Sequence, residues 1–198
     1  LTNDAKLQVK GGEASIIGDP TEGALLTFAE KAGNGLKELY SNIDRIEEIP
    51  FDSDRKMMTT FHDKIFDDIT SFTKGAPDVV LERCSKILID GKEVDLDEKL
   101  REEILSKNSE FARSALRCLG YAYRKHKDMP SEITSENIEN GMVFVGLTGM
   151  IDPSRPEAKA AIKECRTAGI RPIMITGDYL ETGLAIAKDL GIAEHDDE

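Results

Sequence analysis

Pro172-Ile173-Met174-Ile175-Thr176-Gly177-Asp178 decides how the fold is read. A short apolar run stops at a polar turn, and a helical pattern resumes at once through Leu180, Leu184 and Ala187. Such a run predicts a buried strand. Gly177 lets the backbone turn tightly, and Thr176 supplies a hydroxyl at the same place. Asp178 is positioned either to cap the following helix or to act on a ligand. In open α/β sheets, ligands sit at the carboxyl ends of strands, where turns of this kind open. Upstream, Ala158, Ala161, Ile162 and Cys165 recur at helical spacing, and Gly169 follows as the stop. Helix, strand and helix thus alternate after Asp152, in a stretch too short for a complete doubly wound sheet.

Before Asp152 the pattern differs. Asp19-Pro20-Thr21 predicts a helix start, with Leu25, Leu26 and Ala29 on one face and Gly33-Asn34-Gly35 beyond its end. Residues 46–51, 56–62 and 69–74 read as strands, the first two separated by Asp52-Ser53-Asp54. Pro77 opens a short helix toward Cys84. Residues 86–89 and 92–95 flank Asp90-Gly91, a strong hairpin signal because this dipeptide suits a type I′ turn. Leu100, Ile104, Phe111 and Ala115 predict a long amphipathic helix ending near Arg117. Leu119, Tyr121 and Tyr123 alternate as a strand, residues 125–141 read as a polar loop, and residues 142–151 read as a strand buried on both faces. The expected fold class is therefore mixed α/β of the α+β type: an antiparallel sheet with flanking helices, followed by a partial Rossmann-like unit.

Composition narrows the function. The chain has 198 residues, 39% of them hydrophobic and 32% charged, as in globular proteins. A net charge of -12 argues against nucleic acid as a partner but leaves room for a nucleotide held by local cations. No apolar run reaches the length of a membrane span, and residues 1–10 do not read as a signal peptide. Cys84, Cys118 and Cys165 lack metal-ligand spacing and suit a reducing compartment. His62, His126 and His195 read as non-ligands, so no metal site is expected.

Four short clusters fall at element ends, where binding groups concentrate: Gly18 to Glu22, Phe51 to Lys56, Thr73 to Pro77 and Leu116 to Leu119. In chain order the sequence reads GDPTEGAL, PFDSDRKMM, KGAPD, RCLG, FVGLTGMIDPSRPE, AGIRPIMITGD and LGI. This series resembles the nucleotide-binding region of P-type cation-transporting ATPases, above all the calcium-pump-like type II members. The resemblance covers essentially the whole chain.

It implies a nucleotide-binding domain over residues 1–151, lacking the first strands of its sheet, and part of a haloacid-dehalogenase-like phosphorylation domain over residues 152–198. It implies ATP as ligand. Phe51 would stack on adenine, a contact worth about 1–3 kcal/mol. Lys74 would stand at the base of that pocket beside Gly75, which permits close backbone approach. Glu22 would meet the adenine amino group, and Lys56 would lie near the nucleotide. Arg117 would reach the polyphosphate, and Cys118 would line the pocket as a small hydrophobe. Thr176, Gly177 and Asp178 match the loop near the transferring phosphate, and Asp152 matches the hinge-side aspartate of a DPPR-like stretch that here carries Ser154 in place of the second proline. Ser53 departs from animal calcium pumps, which carry an arginine there; Arg55 either compensates or points to solvent.

The family's phosphorylated aspartate, its second magnesium-binding segment, its actuator loop and its transmembrane helices are not in this sequence. The chain is thus expected to hold no catalytic residue of its own and only an incomplete Mg2+ site. It reads as a cytoplasmic piece cut from a multi-pass membrane pump, with the remaining actuator, phosphorylation and transmembrane domains as its partners. Two other readings stay open: a soluble dehalogenase-type phosphatase using Asp52 in Asp52-Ser53-Asp54, and a non-catalytic nucleotide-sensing module.

Overall fold

A computed structural model describes residues 1–10, 13–33, 35, 40–65, 68–114, 116–151, 155–176 and 180–193. Asp152, Pro153, Ser154, Gly177, Asp178 and His195, all singled out above, lie outside the described residues, as does Ala115. The chain forms two compact units, Leu1–Arg101 with Leu119–Thr148, and Glu102–Cys118 with Gly149–Glu198.

The first unit begins with a hairpin of β1 (Lys6–Lys10) and β2 (Glu13–Ile17). Helix α1 (Pro20–Lys31) follows, with Leu26 and Ala29 packed against Ala5 and Ile16. Asp19 caps it, its carboxylate accepting from the N–H groups of Thr21 at 2.8 Å and Glu22 at 3.2 Å. Then come, in chain order, β3 (Arg45–Asp52), β4 (Met57–Ile65), β5 (Asp68–Gly75), α2 (Pro77–Glu82), β6 (Cys84–Ile89), β7 (Lys92–Asp95), α3 (Glu98–Arg113), which belongs to the second unit from Glu102 on, β8 (Arg117–His126), α4 (Ser135–Ile138) and β9 (Met142–Met150). Seven of these strands make one sheet in the order β3-β4-β5-β8-β9-β6-β7. The core on one face of it contains Met57, Phe61, Val80, Leu81, Ile138 and Phe144, none more than 2% exposed. Each such side chain contributes about 1.5–3 kcal/mol through removal from water.

The α/β class with a large helix-flanked sheet stands, with differences of detail. β6 runs parallel to β9, so the sheet is mixed rather than antiparallel throughout. Asp90 and Gly91 both take positive φ (49° and 75°), the geometry that a type I′ hairpin demands. β9 is buried only at Met142, Val143 and Phe144, while Val145 is 44% exposed, so it is not covered on both faces. α3 stops at Arg113 and buries no residue fully. The expected loop 125–141 contains α4, capped by Thr134.

In the second unit, α5 (Pro156–Thr167) and α6 (Leu180–Leu190) follow the expected helical spacing. The N–H of Ile170 returns to the Cys165 carbonyl at 2.9 Å, past Gly169 at φ 74°. Lys159 meets Asp189 at 3.2 Å and Arg166 donates to the Ile192 carbonyl at 3.0 Å. The expected buried strand at residues 172–175 is not formed: the segment joins no ladder, and Ile173 and Ile175 are 79% and 93% exposed. The reason is pairing. Among the described residues no neighbouring strand satisfies its backbone, and an apolar run becomes a strand only when a partner does so.

Candidate functional site

The first unit brings Glu22 and Lys74 together. Lys74 lies on β5, opposite Met58 of β4 and Tyr121 of β8. Its side chain is only 9% exposed, and its ammonium pairs with Oε1 of Glu22 on α1. The other carboxylate oxygen, Oε2, accepts from the backbone N–H groups of Asp4 and Ala5, each at 2.9 Å. The packing of α1 makes this possible. A Cβ at Gly23 would come within 2.5 Å of Ile16, so glycine lets the helix approach β2 and bring Glu22 over the sheet.

Phe51, Lys56 and Gly75 share one end of three adjacent strands. The register pairs Asp52 with Met57, and Met57 with Gly75. β3 is an edge strand, which tolerates Pro50. An irregularity between Ile49 and Asp52 breaks its ladder there, a device that re-aims side chains. Phe51 consequently stands 64% exposed. The Asp52 carboxylate accepts from the N–H groups of Asp54 at 3.0 Å and Arg55 at 2.8 Å, and Lys56 closes the turn at φ 54°. Gly75 permits a close approach, but to the protein itself: a Cβ there would meet the Lys56 carbonyl oxygen at 2.4 Å, and that carbonyl accepts from the Ala76 N–H at 3.0 Å.

Arg55 does not point to solvent. It forms an ion pair with Glu139 at 2.5 Å. Glu139 is fully buried and also accepts from Thr59 at 2.6 Å and Ser135 at 2.7 Å, while Thr59 and Thr73 are 2.8 Å apart. In the second unit, Arg117 opens β8 and is exposed; Cys118 is half-buried, its thiol pKa raised by burial. Thr176 is exposed at the rim of a cavity of about 1000 Å³ lined by Ile170, Ile173, Ile175, Leu184 and Ala187. A cavity of about 820 Å³ in the first unit is lined by Tyr40, Ile43, Arg45 and His62 and includes none of the predicted site residues.

Comparison with known proteins gives this geometry a family. The model for P-type ATPase, cytoplasmic domain N, matches residues 1–157. The chain belongs to the P-type ATPase family. It is 45% identical over 192 residues to a calcium-transporting ATPase of Bacillus subtilis, covering 96% of this chain and 21% of that one. Calcium-transporting ATPase 1 of Lactococcus lactis is 40% identical over 197 residues, covering 100% of this chain and 22% of that one. The sodium/potassium-transporting ATPase subunit alpha-A of Artemia franciscana is 36% identical over 190 residues, covering 89% and 19%. The chain thus spans about a fifth of the length of the P-type ATPases it matches.

Among residues that sequence reasoning missed in this P-type ATPase segment, Glu139 stands out. It sits in Glu136-Asn137-Ile138-Glu139-Asn140, where nothing separates it from the neighbouring polar residues. Its role arises from pairing with a residue 84 positions away. The β1–β2 hairpin was also missed, although 6–10 alternates and Gly11-Gly12 precedes residues 13–17.

Proposed function

We propose that this chain is the ATP-binding cytoplasmic part of a calcium-transporting P-type ATPase. Residues 1–151 serve as its nucleotide-binding domain and residues 152–198 as part of its phosphorylation domain. It holds the adenine end of ATP so that the terminal phosphate reaches an aspartate outside this chain. The remaining actuator, phosphorylation and membrane domains of the parent convert that phosphorylation into ion movement.

The observation that carries this reading is the Lys74–Glu22 pair beside the strand end that presents Phe51. Three kinds of group that adenine requires occur here: an aromatic face, a cation and an acceptor. Glu22 has about four acceptor positions as a carboxylate. Two N–H groups and the Lys74 ammonium occupy three, which leaves one on Oε1 for an exocyclic amine. Lys56 and Arg117, both exposed, are suited to the phosphates. Thr176, Gly177 and Asp178 serve the transferring group. Magnesium, when bound in the parent pump, would neutralise phosphate charge; its site is incomplete in this chain.

Asp52 speaks against the phosphatase alternative. Its carboxylate caps a hairpin turn between antiparallel strands rather than standing free at a parallel strand end.

ATP titration by calorimetry tests the reading. Lys74→Ala is expected to weaken binding on the order of tenfold, and Phe51→Ala by a similar factor, as loss of a stacked ring predicts. Wild-type affinity in both variants would refute the assignment.

A further inference from the structure

Phe51 projects into solvent with no packing partner for most of its ring, yet the backbone on both sides of it is held. Arg55 does the holding. One guanidinium nitrogen donates to the Pro50 carbonyl, immediately before Phe51, and the Arg55 N–H is tied to the Asp52 carboxylate immediately after it. The other terminal guanidinium nitrogen is committed to Glu139, 2.5 Å away. Glu139 also holds Thr59, whose hydroxyl meets that of Thr73, the residue before Lys74. One buried carboxylate, on the residue that caps the C-terminal end of α4, thus joins the turn bearing Phe51 and Lys56 to the strand bearing Lys74.

An ion pair with one partner fully buried and the other 13% exposed is a poor device for stability alone, because desolvating the charges cancels much of their attraction. What such a pair does supply is fixed direction. We infer that Glu139 is a positioning residue of the nucleotide site: it aims the Phe51 ring relative to Lys74 without itself touching ligand. This rests on the reading of Phe51 as the stacking ring.

The test is a double-mutant cycle on this chain, with ATP affinity from calorimetry and a thermal melt for each variant. Glu139→Gln keeps the shape and the hydroxyl contacts but removes the charge that holds Arg55. It is expected to weaken ATP on the order of fivefold, part of what removal of the ring costs. In a Phe51→Ala background the same change is expected to alter affinity less than twofold, since the ring it governs is gone. Equal weakening in both backgrounds would mean a general loosening and would overturn the inference. So would wild-type affinity in Glu139→Gln while Phe51→Ala and Lys74→Ala weaken ATP. If those two controls bind as wild type does, the nucleotide-site reading itself falls, and this one with it. If Glu139→Gln does not fold, the pair Arg55→Gln/Glu139→Gln leaves no unpaired buried charge and enters the same cycle with the same expectations.

Discussion

His62 shows how a single side chain couples the fold to pH. It is 2% exposed, with Nδ1 at 3.2 Å from the Asp44 carbonyl and Nε2 at 3.0 Å from the Thr60 hydroxyl. Burial, with the N-terminal amine and Arg45 nearby, lowers its pKa to about 4 against the pull of the Asp44 carbonyl. The unfolded chain takes the proton near 6.5 and the folded one only near 4, so folding loses stability as pH falls between those values and is unaffected by this group above them. The loss is on the order of 2–3 kcal/mol. Urea midpoints measured from pH 7.5 to 4.5 are expected to fall in the wild type, and less steeply in His62→Gln; parallel curves would remove His62 as the cause. At this scale the sequence was partly legible. Lys74 and Phe51 stand in recognisable strings, whereas His62 and Glu139 owe their environments to strands and loops that meet only in the folded chain.

Elements depend on close contacts that short sequence windows hint at but do not explain. Gly75 ends β5 where a methyl group would press on the Lys56 carbonyl oxygen and, at 2.7 Å, on Met57 Cγ. The first obstacle is backbone and cannot swing away. Gly75→Ala is expected to cost about 1–3 kcal/mol in urea unfolding. It should also weaken ATP, because the turn bearing Lys56 must shift; an unperturbed midpoint would show that the strand end relaxes freely. Asp19→Ala removes two N–H bonds at the start of α1 and is expected to cost about 1 kcal/mol, read by the same method. Turn chemistry made Asp90-Gly91 readable because those φ angles belong to few residues. The strand expected at 172–175 was not, since hydrophobicity marks which residues prefer burial but not whether a neighbour exists to bury them. α4 escaped notice because four residues in a polar stretch carry no periodicity.

For the whole molecule, charge and apolar exposure oppose one another. A net charge of -12 favours separation of copies. The second unit exposes Ile170 at 58%, Ile173 at 79% and Ile175 at 93%, on a backbone segment that joins no ladder. Apolar backbone that joins no ladder is a template for association. Ionic strength decides which effect prevails. The Debye length is about 30 Å at 0.01 M salt and about 8 Å at 0.15 M, so repulsion is screened under physiological conditions while contact between isoleucines is not. The isolated chain is therefore expected to sediment as a monomer at low salt and to associate at 0.15 M and above, on the order of tens of micromolar protein. Ile173→Lys with Ile175→Lys places charge on the exposed segment and is expected to abolish association at every salt concentration. ATP affinity should stay unchanged, because neither residue is among those assigned to the nucleotide. Association that persists in the double variant would locate the sticky surface elsewhere. Association strongest at low salt would mean that complementary charges, rather than the isoleucine edge, hold the copies together.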